Sequence, residues 1–299
     1  MIGVPCISRH TSLLEHPCIS HNHHHPSALS IYISPPDNDT HGRHVTHTAM
    51  FAGMSSFSFF LLLLLSLLNN TGALPFLTSA ANDTDLVLNN RALNNGVQLR
   101  ILPLGASIVY GLKSSDGNGF RNALRNRLVS NGNNVLYVGS NQGGSMANNE
   151  CEAWPGYTID QVAAKAELSI PSRPTLVLLH VGTNDAVQNL DIQNAGDRLG
   201  KLIDRLFDAI PGVTVVASTL LPNANSKTQA NVDIYNRKIP EVVQRRQADG
   251  KHIIYVDFSS FKLTDLSSDG THPTDAGYLK MAKVWYQGIV AAKGRGWVS

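Results

Sequence analysis

The sequence has little cysteine and little charge, and it lacks the common motifs for binding nucleotides or zinc. Of its 299 residues, three are cysteines and 15% are charged, and the formal net charge is +2. There is no run of lysine or arginine, so we expect no nucleic-acid partner. There is also no Gly-x-x-x-x-Gly-Lys loop and no Cys-x-x-Cys pair, and we predict neither a cofactor nor a metal site.

The cysteines do not predict a disulfide framework for the main part of the chain. Cys6 and Cys18 lie near the start, and Cys151 stands alone further on. We expect the Cys151 thiol to be unpaired. The apolar content of 42% is ordinary for a globular protein that buries a full core.

The first 49 residues differ in composition from the rest. Nine of the twelve histidines precede Met50. Residues 1–49 are rich in His, Ser, Pro and Asn and have no helical or strand period, which predicts a disordered His-rich extension. No acidic or cysteine side chains are spaced to complete a metal site with these histidines. The alternative is that translation starts at Met50 or Met54 and that the earlier residues come from upstream of the gene.

A run of twelve mainly apolar residues, Phe57–Leu68, follows Met50. A helix that crosses a bilayer needs about 20 residues, so this run is too short to span one. It is typical of the hydrophobic region of a secretory signal peptide, and small residues at 71–73 and 79–81 offer places for cleavage. No basic residue lies between Met50 and the run, and a signal anchor is the alternative reading.

These features divide the chain into segments. We predict a signal peptide and cleavage region over residues 50–81, a linker over 82–98 and one main domain over 99–299. Asn82-Asp-Thr84 is a glycosylation sequon just beyond the cleavage region. We therefore expect a secreted, extracellular glycoprotein without stable membrane association, of unspecified oligomeric state.

From about Asn95, short apolar segments alternate with amphipathic ones. The apolar segments have no polar alternation, which is typical of strands covered on both faces. The predicted strands are Leu99–Leu104, Val135–Val138, Thr175–Val181, Val213–Ser218 and Ile253–Asp257. The predicted helices are Gly119–Ser130, Ile159–Leu168, Ala195–Ala209, Asn231–Gln247 and Thr274 to about Ala292. This alternation predicts an α/β fold of three layers, with a five-stranded parallel sheet between helices.

Three small motifs follow strands of the predicted sheet. Ser107 comes after the first strand, Asn184 after the third, and His272 in the loop between the fifth strand and the last helix. Sites in such sheets lie beyond the carboxyl ends of the strands. We therefore expect these three side chains to meet at one rim, although each alone would pass for a turn, cap or loop residue.

The residue types at this rim suit acyl transfer. A serine hydroxyl is a weak nucleophile until a base accepts its proton, and the base needs a partner that fixes its tautomer. Ser107 is the candidate nucleophile, His272 the base, and Asp269, three residues earlier, the partner of the imidazole. Candidate donors for a developing oxyanion are the Ser107 backbone N–H, the Asn184 side-chain amide and the Gly156 backbone N–H. Gly156 has no Cβ, which allows the substrate to approach its backbone closely.

Other residues of the domain are expected to be structural. His180 lies on a buried strand and is predicted to be a hydrogen-bonded core histidine, whereas His252 begins a strand and is predicted to be at the surface. Asp185 is predicted to bond to backbone. Trp154 and Tyr157 flank Gly156, and either core packing or stacking on a sugar ring would explain them.

Four ordered blocks carry a family resemblance. They are Gly105-Ala-Ser-Ile108, the mid-chain Gly156, Gly182-Thr-Asn-Asp185 and Asp269-Gly-Thr-His-Pro273. In this order the chain resembles the SGNH-hydrolase (GDSL-type esterase) superfamily over roughly Leu99 to Ala292. The motifs Leu102-Pro-Leu-Gly105 and Trp154-Pro-Gly-Tyr-Thr158 are most similar to those of carbohydrate esterase family 3, which includes acetyl xylan esterases. The resemblance implies a flavodoxin-like fold and ester hydrolysis without a metal.

By position, the resemblance implies Ser107 as nucleophile, His272 as base and Asp269 as its orienting residue, with Ser107, Gly156 and Asn184 forming the oxyanion hole. The sequence departs from the family at Ala106, where the family usually has aspartate. It is also not a Gly-x-Ser-x-Gly elbow, because Val109 replaces the second glycine, and this argues against an α/β-hydrolase.

The sequence therefore predicts a secreted serine esterase that removes acetyl groups from a polysaccharide such as acetylated xylan. The alternatives are a lipase or lysophospholipase of the same superfamily, and a non-catalytic carbohydrate-binding relative. For the non-catalytic relative, Ala106 would be a sign that the chain kept the fold and lost the catalytic activity.

Overall fold

The computed structural model describes residues 96–299. The predicted His-rich extension of residues 1–49 and the signal peptide and cleavage region of 50–81 lie outside the described residues. So do the glycosylation sequon at Asn82 and all but the last three residues of the predicted linker of 82–98.

A central, mostly parallel sheet organises the domain. Its strands are β1 (Gln98–Gly105), β2 (Asn134–Tyr137), β3 (Asn141–Gln142), β4 (Glu150–Ala153), β5 (Leu176–His180), β6 (Thr214–Ser218) and β7 (Ile253–Val256). The order is β3-β4-β1-β5-β6-β7, and β2 pairs with the same edge of β1 as β4 does. β2 takes the first half of β1 and β4 the last two residues, while only β3 runs antiparallel, against β4.

The five predicted strands are all present and parallel. Taken alone, β2, β1, β5, β6 and β7 stand in the order 2-1-3-4-5, which is the flavodoxin-like arrangement. The sheet has two further strands, β3 and β4, which the sequence did not predict. β3 has only two residues, and β4 reads Glu-Cys-Glu-Ala, so neither has an apolar pattern.

Helices cover both faces of the sheet, and this confirms the predicted three-layer α/β fold. They are α1 (Ser107–Tyr110), α2 (Arg121–Ser130), α3 (Ile159–Ser169), α4 (Thr183–Gln188), α5 (Ala195–Ala209), α6 (Ser226–Asn236), α7 (Ile239–Ala248) and α8 (Asp275–Gly294). α2 and α8 pack on one face, and α3, α5, α6 and α7 on the other. Within residues 96–299, no helix has both the length and the apolarity to cross a membrane.

One predicted helix was wrong in its extent. The segment predicted as a single helix over Asn231–Gln247 forms the end of α6 and most of α7, with a break at Arg237 and Lys238. Pro240 causes the break, because it has no N–H to donate to the preceding turn and its ring crowds that turn. The same proline is favourable in the first turn of α7, where its N–H would have no partner.

The two faces of the sheet are built from alternate residues of the same strands. Ile101 and Leu178 point to the α2 and α8 side, whereas Leu102 and Val177 point to the other. All four are fully buried. The largest buried side chain, Trp285 of α8, packs against aromatic rings on the first of these faces.

Gly105, the last residue of β1, permits a very close approach of β1 to β5. It pairs with Ala153 of β4 on one side and with His180 of β5 on the other. A Cβ at this position would lie 2.1 Å from the His180 carbonyl oxygen and 2.6 Å from a methyl group of Val109. Only glycine therefore allows β1 to stay hydrogen-bonded to both neighbours up to the turn that carries Ser107.

His180 is the core histidine that its strand position predicted. It is 2% exposed, and its Nδ1 lies 2.8 Å from the Ser218 hydroxyl of β6. The imidazole packs edge-on against Phe258. Burial lowers the pKa of His180 to about 4, because the apolar surroundings penalise the charged form.

This burial predicts an acid-sensitive fold. Between about pH 6.5 and 4 the unfolded chain binds a proton at residue 180 that the folded chain excludes, so stability is lost as the pH falls through this window. We expect the free energy of unfolding, measured by denaturant titration, to fall by up to about 3 kcal/mol for this group. His180→Gln should remove much of this pH dependence, and His252→Gln, a half-buried control, should retain it.

Equal pH dependence in the wild type and in His180→Gln would contradict this assignment. A direct measurement is the NMR titration of the imidazole ring protons in the wild type. That titration should leave the His180 signals unchanged down to about pH 5, since the folded-state pKa is about 4.

Candidate active site

The turn after β1 presents Ser107 at the carboxyl rim of the sheet. Ser107 is the first residue of α1, and the preceding Ala106 has an extended φ of −120°. The Ser107 carbonyl accepts backbone hydrogen bonds from Gly111 and Leu112, at 3.1 and 3.0 Å. Main-chain bonds therefore order this turn, and the buried Ala106 side chain takes no part in them.

The three residues predicted as a triad form a continuous hydrogen-bonded chain. His272 Nε2 lies 2.8 Å from Ser107 Oγ, and His272 Nδ1 lies 2.8 Å from Asp269 Oδ2. With the imidazole neutral and its proton on Nδ1, the serine hydroxyl donates to Nε2 and Nδ1 donates to the carboxylate. Ser107 and His272 are 165 positions apart in the sequence, and the sheet brings them into direct contact.

A tight loop before α8 holds Asp269 and His272. The Ser267 N–H donates to the His272 carbonyl at 2.7 Å, and Leu266 forms an antiparallel bridge with Pro273. Thr274 then caps α8 by accepting from the Gly277 N–H. The loop is thus closed at its base, and both functional side chains extend from a fixed backbone.

Asp269 is held in its charged form. Partial burial alone would raise its pKa, but the backbone N–H groups of His272 and Thr271, at 3.0 Å, and the side chains of His272 and Ser267 outweigh that effect. Together they hold the pKa of Asp269 well below its usual range. The carboxylate is therefore a permanent acceptor for the His272 Nδ1 proton over the physiological pH range.

A hydrogen bond to Tyr157, the neighbour of Gly156, brings Asn184 close to the loop that carries Gly156. Asn184 is the second residue of α4, and its Nδ2 donates to the Tyr157 carbonyl at 2.8 Å, which leaves its second amide N–H available. Gly156 has a φ of 85° and no atom within 4 Å of where a Cβ would lie. Glycine is therefore favoured at position 156 because of the backbone conformation there, and not because neighbouring atoms crowd it.

The loop that carries Gly156 is tied to the nucleophile strand. The Trp154 N–H donates to the Gly105 carbonyl at 3.1 Å, and Tyr157 N–H donates back to the Trp154 carbonyl at 3.1 Å. Gly105 is two residues from Ser107. The predicted oxyanion donors are therefore linked to each other through Tyr157 and to the nucleophile turn through Trp154.

A buried ion pair, which the sequence predicted only in part, supports this loop. Asp185 is fully buried and accepts from the Ile159 N–H at 3.0 Å, in line with its predicted bonding to backbone. Its other oxygen pairs with Arg198 of α5. Burial raises the pKa of Asp185, and Arg198 and the Ile159 N–H partly offset that shift. Asn184 and Asp185 thus hold the two ends of the segment from Tyr157 to Ile159.

Two of the predicted structural residues have partners that the sequence did not indicate. Trp154 stacks on Tyr157, with ring centroids 5.8 Å apart, and its indole donates to the buried Glu152 at 2.5 Å. His252, predicted to lie at the surface, is half-buried and stacks on Trp297 at 5.1 Å. His252 thus keeps part of its ring at the surface, and Trp297, 45 positions later in the chain, covers the rest.

The structure gives no metal centre within residues 96–299, since no three His, Cys, Asp or Glu side chains gather there in a suitable cluster. Cys151 is buried and has no disulfide partner in the described part of the chain.

Comparison with known proteins agrees with the family resemblance that the four ordered sequence motifs indicate. The model of the GDSL-like Lipase/Acylhydrolase family matches residues 104–280. The chain belongs to this family. The recognition of a GDSL-type acylhydrolase is therefore confirmed, and the predicted class, carboxylic ester hydrolase, is supported at the level of the family. The roles of individual site residues remain predictions.

The relatives of this GDSL-like acylhydrolase include proteins named for polysaccharide chemistry. A family 3 carbohydrate esterase structure from Clostridium thermocellum is 29% identical with a TM-score of 0.59, covering 65% of this chain and 98% of that one. A carbohydrate esterase family 3 structure from Talaromyces cellulolyticus, at 19% identity and a TM-score of 0.58, covers 66% of this chain and 99% of that one, and it shows the fold alone.

Two curated relatives match over part of their length. A multidomain esterase from Ruminococcus flavefaciens is 31% identical over 224 residues, which are 64% of this chain and 28% of that protein. A protein named endoglucanase X in Acetivibrio thermocellus is 33% identical over 117 residues, 38% of this chain and 49% of that protein. The acylhydrolase chain thus spans half or less of the length of these relatives.

The Asp185–Arg198 pair makes a prediction about stability. Asp185→Ala would leave the Arg198 guanidinium, which is 12% exposed, with only the exposed Asp160 carboxylate at 3.3 Å, and would leave the Ile159 N–H without its acceptor. We expect the free energy of unfolding to fall by about 2–3 kcal/mol. The measurement is denaturant unfolding. Glu167→Ala breaks a pair with Arg205 that lies in solvent and should cost much less. Similar losses in the two variants would contradict the structural role of the buried pair.

Proposed function

We propose that the protein is a serine esterase that hydrolyses short-chain, chiefly acetyl, esters through an acyl-enzyme on Ser107. The observation that carries this proposal is the unbroken chain of two 2.8 Å hydrogen bonds from Ser107 through His272 to Asp269. A nucleophile bonded to a base that a carboxylate orients is the arrangement that activates a serine.

The first step acylates the serine. Ser107 Oγ attacks the ester carbonyl carbon while its proton moves to His272 Nε2, and the ionised Asp269 stabilises the resulting imidazolium. The carbonyl oxygen becomes an oxyanion, which accepts from the Ser107 N–H, the Gly156 N–H and the free amide N–H of Asn184. The carbon–oxygen bond to the alcohol then breaks, and His272 gives its proton to that alcohol oxygen.

The second step reverses these roles. Water loses a proton to His272 Nε2 and adds to the acyl carbon, and the collapse of the second tetrahedral intermediate returns the proton to Ser107 Oγ. The products are the free alcohol and a carboxylic acid, which is acetate for an acetyl ester. No group outside the five named residues and water is needed to balance the reaction.

Acetylated polysaccharide, with acetylated xylan as an example, is the proposed substrate class. Support comes from the 29% identity to a family 3 carbohydrate esterase over nearly all of that chain. A lipase or lysophospholipase remains the second enzyme candidate, because the family is named for lipases as well as for acylhydrolases. Acetate released from acetylated xylan, with no fatty acid released from a lysophospholipid, would favour the polysaccharide esterase.

Hydrolysis of p-nitrophenyl acetate tests the proposed mechanism. Ser107→Ala should lower kcat/KM by about 1,000-fold or more, because within residues 96–299 the Ser107 hydroxyl is the one that hydrogen-bonds the His272 imidazole. His272→Ala should have a comparable effect, and Asn184→Ala should cost about 100-fold or more through the loss of one oxyanion donor. Ser130→Ala, at the exposed end of α2, is the matched control and should keep full activity. An unchanged rate in Ser107→Ala would exclude the proposed nucleophile and would favour a non-catalytic, carbohydrate-binding relative.

We also propose that the protein is exported after removal of its leader. The support is the apolar run of Phe57–Leu68, followed by small residues and by the sequon at Asn82. Expression in a secreting host and amino-terminal sequencing of the protein in the medium should place the first residue between about 72 and 82. An unprocessed, membrane-bound product would instead indicate a signal anchor.

A further inference from the structure

A groove lined mostly by polar residues lies beside the candidate active site, and of its lining residues only Asp269 takes part in the proposed mechanism. It has a volume of about 650 Å³ and runs between the end of α4 and the first turns of α6. Its wall includes Val187 of α4 and Asn189 just after it, and Lys227, Thr228 and Asn231 of α6. Thr271, the neighbour of His272, closes the end nearest the triad. The volume is within the range of small-molecule sites, roughly 300–1,000 Å³.

Several polar groups in the groove have no protein partner among residues 96–299. The Asn189 amide, the Lys227 ammonium group and the Thr228 hydroxyl make no side-chain hydrogen bond or ion pair there. Asn189 and Lys227 are exposed, whereas Thr228 is 6% exposed and lines the groove from a buried position. Asn231 uses its amide N–H on the Ala186 carbonyl at 2.9 Å, and its amide oxygen stays open. The groove therefore offers both donors and acceptors.

Hydrogen bonds connect the groove to the triad, and α4 connects it to Asn184. At its floor, Asn223 Nδ2 donates to Thr271 Oγ1 at 2.9 Å, and the Thr271 N–H donates to Asp269 at 3.0 Å. At its other wall, Val187 lies one helical turn beyond Asn184 on the same face of α4. One side of the groove is thus joined to Asp269, which bonds to the base His272, and the other side shares a helix with the candidate oxyanion donor Asn184.

The chemistry of acylation determines which part of the substrate lies here. The carbonyl oxygen must face Asn184 and Gly156, and the alcohol oxygen must face His272 Nε2, which protonates it. The alcohol part of the ester therefore leaves past His272, on the side where Thr271 lines the groove. An acyl chain of a lipid would need an apolar channel, and Val187 is the one large apolar side chain on this wall.

We propose that this groove binds the alcohol moiety of the substrate and that it selects hydroxyl-rich alcohols, that is, a sugar residue of an acetylated glycan. This inference rests on the esterase function proposed above. Asn189, Lys227, Thr228 and the oxygen of Asn231 hydrogen-bond the hydroxyl groups of that sugar. An ester of a phenol or of a simple alkanol reacts at the same serine without these bonds.

Asn189 provides a clean test because of its backbone. It ends α4 in the left-handed conformation, with a φ of 50° and a ψ of 38°. Glycine adopts this conformation more easily than any other residue, so Asn189→Gly removes the amide without straining the fold. Arg173→Gly is the matched control, because Arg173 also has a left-handed φ of 47° and lies just before the amino end of β5, away from the carboxyl rim.

The experiment compares two acetyl esters in the wild type, Asn189→Gly, Thr228→Val and Arg173→Gly. The first ester is monoacetylated xylotriose, and the second is p-nitrophenyl acetate. Each groove variant should lower kcat/KM for the acetylated sugar by about three- to tenfold, mainly through KM, which is the effect of one neutral hydrogen bond. The value for p-nitrophenyl acetate should change by less than about twofold, and the control should match the wild type on both esters.

The outcomes separate this inference from the proposed function. Unchanged kinetics on the acetylated sugar in both groove variants, or equal losses on both esters, would overturn the groove assignment and leave the esterase intact. A wild type that cleaves p-nitrophenyl acetate and not the sugar ester would do the same. A wild type inactive on both esters would refute the esterase. In that case calorimetric titration with xylotriose decides the groove, which stands only if binding weakens in Asn189→Gly.

Discussion

The close contact of β1 and β5 at Gly105 is the constraint on which the rest of the site depends. β1 and β5 are the two neighbours in the sheet from which the chain leaves toward opposite faces, to α2 on one side and to α5 on the other. A crevice opens at such a point in a doubly wound sheet. Because Gly105 lets the strands remain paired to their last residues, Ser107 and Asn184 emerge on either side of that crevice at a fixed separation. A side chain at Gly105 would meet the His180 carbonyl and push the two strands apart.

Around this contact, the functional side chains are held mostly by main-chain groups. Two backbone N–H groups fix Asp269, a backbone carbonyl fixes the Asn184 amide, and another backbone N–H fixes the Asp185 carboxylate. Such bonds do not depend on which side chain occupies the donor position. This explains how the nucleophile turn keeps its shape with Ala106 in place of the usual aspartate, since the bonds to the Ser107 carbonyl come from Gly111 and Leu112.

The sequence predicts the sheet and the candidate triad well, and for the same physical reason. Strands buried on both faces are continuous apolar runs, and residues in the loops between the ends of such runs and the next helices lie at one rim of a parallel sheet. The elements that escaped prediction have no such signal. β4 carries two glutamates and is a strand because it completes the edge of β1, and the break at Pro240 interrupts an otherwise continuous amphipathic pattern. Partners such as Arg198 for Asp185 are set by tertiary packing, which a one-dimensional pattern does not encode.

The bond from the Trp154 N–H to the Gly105 carbonyl has a consequence for how such an enzyme diverges. It extends the ladder of the sheet directly into the loop of Gly156, so the spacing between nucleophile and oxyanion donor is set by strand pairing. The groove of Asn189 and Lys227 belongs to a different layer, at the ends of two helices. Under the proposed role of this groove, mutations there would alter which alcohol is accepted without moving the reacting atoms. Substrate range and chemical rate would then be separable traits in this fold, and selection could change the first while it preserves the second.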